Sequence, residues 1–215
     1  MIPIRDQNRS NITPFMTYFL LAANVGIFLF LLTLSRSELT QFIETYAFFP
    51  ASILRGENYY SVITSMFIHG GILHIFSNML FLNIFGDNLE AWLGHFKYLL
   101  FYLLSGIGGS VLQIVTNPTS SIPNIGASGA IAGLMGGYLI LFPNNRIDLL
   151  IPFGLILGTI RVPAFTILFY WFVLQFIFGL GSLSSLGGGI AYFAHIGGFL
   201  TGAFAVLVIR SFRKS

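Results

Sequence analysis

Residues 98–145 and 162–209 form two stretches of 48 residues, each without a single Asp, Glu, Lys or Arg. A soluble domain, in which roughly a quarter of residues are charged, does not contain runs of that kind. A helical crossing of a hydrocarbon core needs about 20 mostly apolar residues, so each stretch holds two crossings and a turn. Turn-forming segments lie where they are needed, NPTSSIP at 117–123 and GLGSLSSLGGG at 179–189. Residues 15–34 supply a fifth, uncharged crossing, and 72–90 a sixth apolar helix. The whole chain agrees: 55% is hydrophobic and only 8% charged, with a mean hydropathy of +0.84. The expected fold is an all-α, polytopic membrane protein, a compact six-helix bundle over residues 15–210. Residues 1–14 are a polar N-terminal segment and 211–215 a short basic tail.

One apolar segment does not fit the count. LLIPFGLILGTI at 149–160 reaches only about 18 Å as a helix, and Pro152, Gly154 and Gly158 weaken it. Residues 143–163 therefore read as an interfacial excursion, not a seventh crossing. Six crossings put both ends on one side, together with Arg5, Arg9, Lys97, Arg146, Arg161, Arg210, Arg213 and Lys214. Only Arg36 and Arg55 fall opposite, so the positive-inside rule makes the termini cytoplasmic. The plain six-crossing build leads to the expectation of a plasma or inner membrane. The one long outer loop, 35–71, carries the aromatic stretches YAFFP and NYYSV, suited to the membrane interface.

The chain has no cysteine, which removes disulfides, thiolate catalysis and Cys-ligated metals. A net charge of +3 is too small to point to nucleic acid. Polar residues within the crossings carry the chemistry, because they are costly in lipid. Ser128 heads the fourth crossing in NIGASGAIAGLMGG, His195 lies early in the sixth, and His74 and Asn78 lie one turn apart on the second. By crossing order all four lie in the outer half of the membrane. Two readings of Ser128 follow. With Gly129, Gly133 and Gly137 it continues a small-residue packing ladder, matched by Gly198 and Gly202. As a nucleophile it needs a base, for which His195 is suited. His74, Asn78 and the Ser128 backbone N–H would then supply oxyanion donors. No acid accompanies the pair, since Asp87 and Glu90 fall toward the other end of their helix; this would be a dyad. Gly126 and Gly129 leave the face of the serine open.

GASG at 126–129, the His74/Asn78 pair and AHIGG at 194–198, with MFIHGG at 66–71 and GDNLEAWLG at 86–94, together resemble the rhomboid family of intramembrane serine proteases. The resemblance covers about residues 50–210. It implies a nucleophile at Ser128, a general base at His195, and oxyanion stabilisation by His74 and Asn78. Gly126, Gly129 and Gly198 support the site. It implies substrates that are transmembrane segments of other proteins, cut near the outer surface, with no metal, nucleotide or other cofactor. Two positions depart from the family pattern. Tyr60-Ser61 stands where many members carry Trp-Arg, so the outer loop is tied differently. Ala132 stands where many place an aromatic ring against the histidine, leaving Tyr192, Phe193 or another ring to fill that role. Glu90 reads as a structural hydrogen-bond acceptor, and Gln113 and Gln175 as interhelical hydrogen-bond groups. The bulky fifth crossing, about 164–180, is a candidate lateral gate.

Overall fold

The computed structural model describes residues 2–153, 156–183 and 190–213. Most of the turn at 179–189 and Lys214 lie outside them. In chain order the elements are strand β1 (Ile2–Asp6), helices α1 (Phe15–Leu31), α2 (Arg36–Tyr46), α3 (Pro50–Leu54), α4 (Ser61–Thr64), α5 (Ile72–Leu93), α6 (His95–Thr116) and α7 (Ser128–Leu141). They continue with strands β2 (Arg146–Phe153) and β3 (Ile156–Pro163) and helices α8 (Ala164–Ser182) and α9 (Tyr192–Arg213).

The chain is predominantly helical, and among the described residues three helices, α6, α8 and α9, are long and apolar enough to cross a membrane. A fourth crossing is counted if the segment Ser61–Phe67 is joined to α5 across a 96° bend. Helices α1 and α7 are apolar but shorter.

Helix α7 is the axis of the molecule. Every residue from Ala130 to Tyr138 is buried, the pattern of a helix enclosed on all sides, and α5, α6, α8 and α9 pack around it. The closest approach is to α9, and glycines make it possible. A methyl group at Gly198 would collide with the Gly129 carbonyl oxygen, and one at Gly202 with that of Gly133. Backbones in direct contact gain dispersion and packing that larger side chains would prevent, the usual device where lipid removes the hydrophobic drive. Large apolar side chains on the opposite faces, such as Leu73, Phe76, Phe204 and Phe212, point outward, as a lipid solvent requires.

Two corners rest on polar residues. Gly94, with φ +81°, turns α5 directly into α6; a side chain in that left-handed region would be strained. Glu90, fully buried, then accepts hydrogen bonds from the backbone N–H groups of Met16 (2.8 Å) and Thr17 (2.7 Å) and from the Thr17 hydroxyl. A carboxylate from α5 thus satisfies first-turn donors of α1 that the helix itself leaves unpaired, and its charge suits that helix end. His95 Nδ1 pairs with the same carboxylate. Glu90 is therefore the structural acceptor its position suggested.

The expectation of an all-helical chain needs one correction. Strands β2 and β3 pair antiparallel, and β1 adds to them as a third strand in the order β1-β2-β3. RIDLLIPF alternates only at its start and then runs apolar, and one of its two partners, β1, lies some 140 residues away, so local periodicity does not reveal the strand. Asp148 lies opposite Arg161 and accepts from its guanidinium at 2.9 Å; that bond holds the half-buried carboxyl below its ordinary pKa. Asp6, at the end of β1, is buried and accepts from Asn88 of α5 (2.7 Å) and from the Tyr138 hydroxyl of α7. The polar N-terminal segment is consequently part of the fold. The basic residues Arg5, Arg146 and Arg161 gather on this sheet, and Arg213 stacks on Trp92 at 4.1 Å, all at the Glu90 end of the bundle.

Candidate active site

The opposite end of the bundle holds the polar residues singled out above. Asn124 and Phe48 exchange backbone hydrogen bonds (2.7 and 3.2 Å), tying the approach to α7 to the outer loop. Gly126 follows with φ +114°, and its N–H donates to the Ser65 carbonyl at 2.9 Å. No other residue fits there. The backbone region is left-handed, and a Cβ would lie 2.6 Å from His74 Nε2. Ser128 is then the first residue of α7, where backbone N–H groups lack intrahelical partners and the helix dipole favours negative charge.

The contact between α7 and α9 carries the site. His195 Nε2 lies 2.8 Å from Ser128 Oγ, hydrogen-bond distance, across helices held together by the Gly198–Gly129 approach. His195 Nδ1 lies 2.8 Å from Gln175 Oε1 of α8. The Trp171 ring, one turn before Gln175, stands with its centroid 5.7 Å from that of His195 at an interplanar angle of 34°.

On α5, His74 Nδ1 accepts a long hydrogen bond from the Gly70 N–H, 3.4 Å. That leaves Nε2 to carry the proton, facing Gly126 beside the serine. Asn78 donates through Nδ2 to the His74 carbonyl at 2.8 Å, so this bond joins it to the His74 turn and not to Ser128. The buried His69 ring meets that of His74 edge-on at 5.0 Å. A cavity of about 40 Å³ is bordered by Ser128, Gly106, Ser110, Ser65 and Ala194, more than one water molecule needs.

Ser128 and His195 thus meet directly, and His74 meets the turn that precedes the serine. Of the three glycines, Gly126 and Gly198 are demanded by contacts. Gly129 is different: a Cβ there would sit 3.5 Å from the Ala194 carbonyl oxygen, an ordinary contact. Asp87 and Glu90 are 13 and 16 residues along α5 from His74, the farther about 24 Å away. The ring that packs on His195 is Trp171 of α8, which fills the place left open for a ring other than Tyr192 or Phe193. Gln175, the one side-chain amide in α8, is the interhelical hydrogen-bond group its place in the sequence suggested, with His195 of α9 as its partner. The outer loop is tied by Tyr60, whose hydroxyl donates to the Thr45 carbonyl (3.2 Å), and by Thr64, whose hydroxyl donates to that of Tyr46 (2.7 Å).

A family model of the rhomboid domain matches residues 56–212. Among curated proteins, the chain is 34% identical over 151 residues to RHOMBOID-like protein 6, mitochondrial, of Arabidopsis thaliana, covering 70% of this chain and 43% of that protein. It is 33% identical over 166 residues to RHOMBOID-like protein 4 of the same plant, covering 74% and 36%. It is 29% identical over 196 residues to Rhomboid protease GluP of Bacillus subtilis, covering 91% and 35%. The chain therefore spans only about a third to two fifths of the length of these relatives.

Proposed function

The chain belongs to the rhomboid family, and from that premise we propose that it is an intramembrane serine endopeptidase acting through Ser128 and His195. The observation that carries the reading is the 2.8 Å approach of His195 Nε2 to Ser128 Oγ. His195 takes the hydroxyl proton as Ser128 attacks the carbonyl carbon of a peptide bond. The resulting oxyanion is met by the Ser128 backbone N–H at the head of α7 and by the His74 Nε2–H, with Asn78 adding its amide when substrate is bound. The imidazolium returns its proton to the departing amine, which leaves an acyl-serine. Water from the cavity, deprotonated in turn by His195, then hydrolyses that ester and restores the serine.

Six crossings, α1, α5, α6, α7, α8 and α9, make up the bundle in this reading. The 14 residues of α7 extend about 21 Å, short of a hydrocarbon core of about 30 Å. Its serine therefore sits below the outer surface, in a recess that water reaches. The basic sheet end faces the cytoplasm, with both termini, in a plasma-type membrane. The substrates are transmembrane segments of other membrane proteins. Purified wild type is expected to cut a fluorescent single-span reporter in detergent. Ser128→Ala and His195→Ala should each lower the rate on the order of 10⁴-fold or more. Cleavage that survives Ser128→Ala overturns the assignment.

A further inference from the structure

We propose that Gln175 is a positioning residue that selects the reactive tautomer of His195. A histidine ring can accept the serine proton at Nε2 only if its own proton sits on Nδ1. Unanchored, the neutral ring is free to place the proton on either nitrogen, and the Nε2–H form cannot act as base toward Ser128. Gln175 Oε1, 2.8 Å from Nδ1, accepts the Nδ1–H and so leaves the Nε2 lone pair aimed at Ser128 Oγ. Gln175 is itself buried, so the bond does not compete with bulk water. The opposite amide orientation would put an N–H against Nδ1, force the proton onto Nε2 and silence the base.

Trp171 reinforces the arrangement. It lies four residues before Gln175, on the same face of α8, and packs against the His195 ring, which limits its rotation. Helix α8 thus holds the histidine by an acceptor and a ring together. Ala132 of α7, buried and without reach, does neither.

The inference rests on the dyad reading, and the test keeps the two failures apart. Solid-state or solution ¹⁵N spectra of ring-labelled wild type, with His195 assigned by its loss in His195→Ala, should show a pyrrole-type Nδ1 and a pyridine-type Nε2. In Gln175→Met, similar in length and with only a weak thioether acceptor, that signature should move toward the Nε2–H form. Its kcat on the reporter should fall about 10- to 100-fold, part of the 10²–10⁴ that a general base contributes, with KM unchanged. Gln175→Glu keeps an oxygen at the same reach and should return kcat close to wild type.

An inactive Ser128→Ala alongside a Gln175→Met with wild-type kcat overturns the role of Gln175 alone. A Gln175→Glu as slow as the Met variant does the same. Should Gln175→Met fail to fold, the wild-type spectrum decides by itself, since a pyridine-type Nδ1 overturns the proposal. Cleavage surviving Ser128→Ala would instead overturn the dyad on which it rests.

Discussion

At the scale of single residues, the candidate site was legible where chemistry is rare. Serine, histidine and asparagine within apolar crossings stand out because lipid penalises them, and Ser128, His195, His74 and Asn78 were found that way. Trp171 and Gln175 were not assigned to the histidine. In α8 a tryptophan among phenylalanines looks like any lipid-facing or packing ring, and a lone glutamine bonds to whichever helix happens to face it. Which helix that is depends on rotation about the α8 axis, and no local pattern encodes it. His74 illustrates what geometry adds. Its Nδ1 accepts from Gly70 while Nε2 faces Gly126, an orientation that makes it a donor toward the serine. His74→Ala should therefore lower kcat about 10²-fold, the usual cost of losing one oxyanion donor, with KM little changed. Steady-state kinetics on the reporter would check this, and a rise in KM alone would contradict it.

At the scale of elements, the long helices α1 and α5 to α9 were legible from apolar length, whereas the helices α2, α3 and α4 within the outer loop and the sheet were not. Pro152, Gly154 and Gly158 marked 149–160 as a poor helix without revealing a strand. Its partner β1 is some 140 residues away, and strand register is decided by that distant pairing. The glycine contacts between α7 and α9 allow a sharper prediction. Gly198→Ala places a methyl against the Gly129 carbonyl, so the helices must separate, at a cost of about 1–3 kcal/mol. Gly129→Ala meets only an ordinary contact and should stay within about 0.5 kcal/mol. Denaturation in mixed micelles would compare them. Equal destabilisation by the two substitutions would show that backbone contact is not what joins these helices.

At the scale of the whole molecule, two polar ends are separated by an apolar middle, and they do different work. The end with Asp6, Asn88, Tyr138 and Glu90 locks strand β1 and helices α1, α5 and α7 together through buried hydrogen bonds. The end with Ser128, His195 and His74 brings together the groups of the proposed dyad and oxyanion site. Asp6→Ala strips a shared acceptor from buried Asn88 and Tyr138, and each unpaired donor costs about 1–3 kcal/mol. The variant should unfold at a markedly lower temperature. Below that temperature it should keep a near wild-type kcat, because the two ends lie about 24 Å apart along α5. A loss of kcat at full folding would mean that the ends are coupled.

The central claim is that Ser128 is a nucleophile activated by His195 across the α7–α9 contact, and covalent trapping tests it most directly. Wild type in detergent would be treated with a fluorophosphonate and the adduct located by intact mass and peptide mapping. A single adduct on Ser128 is expected, absent in Ser128→Ala and formed at a greatly reduced rate in His195→Ala. Labelling that persists in Ser128→Ala, or that proceeds at the wild-type rate in His195→Ala, would contradict it.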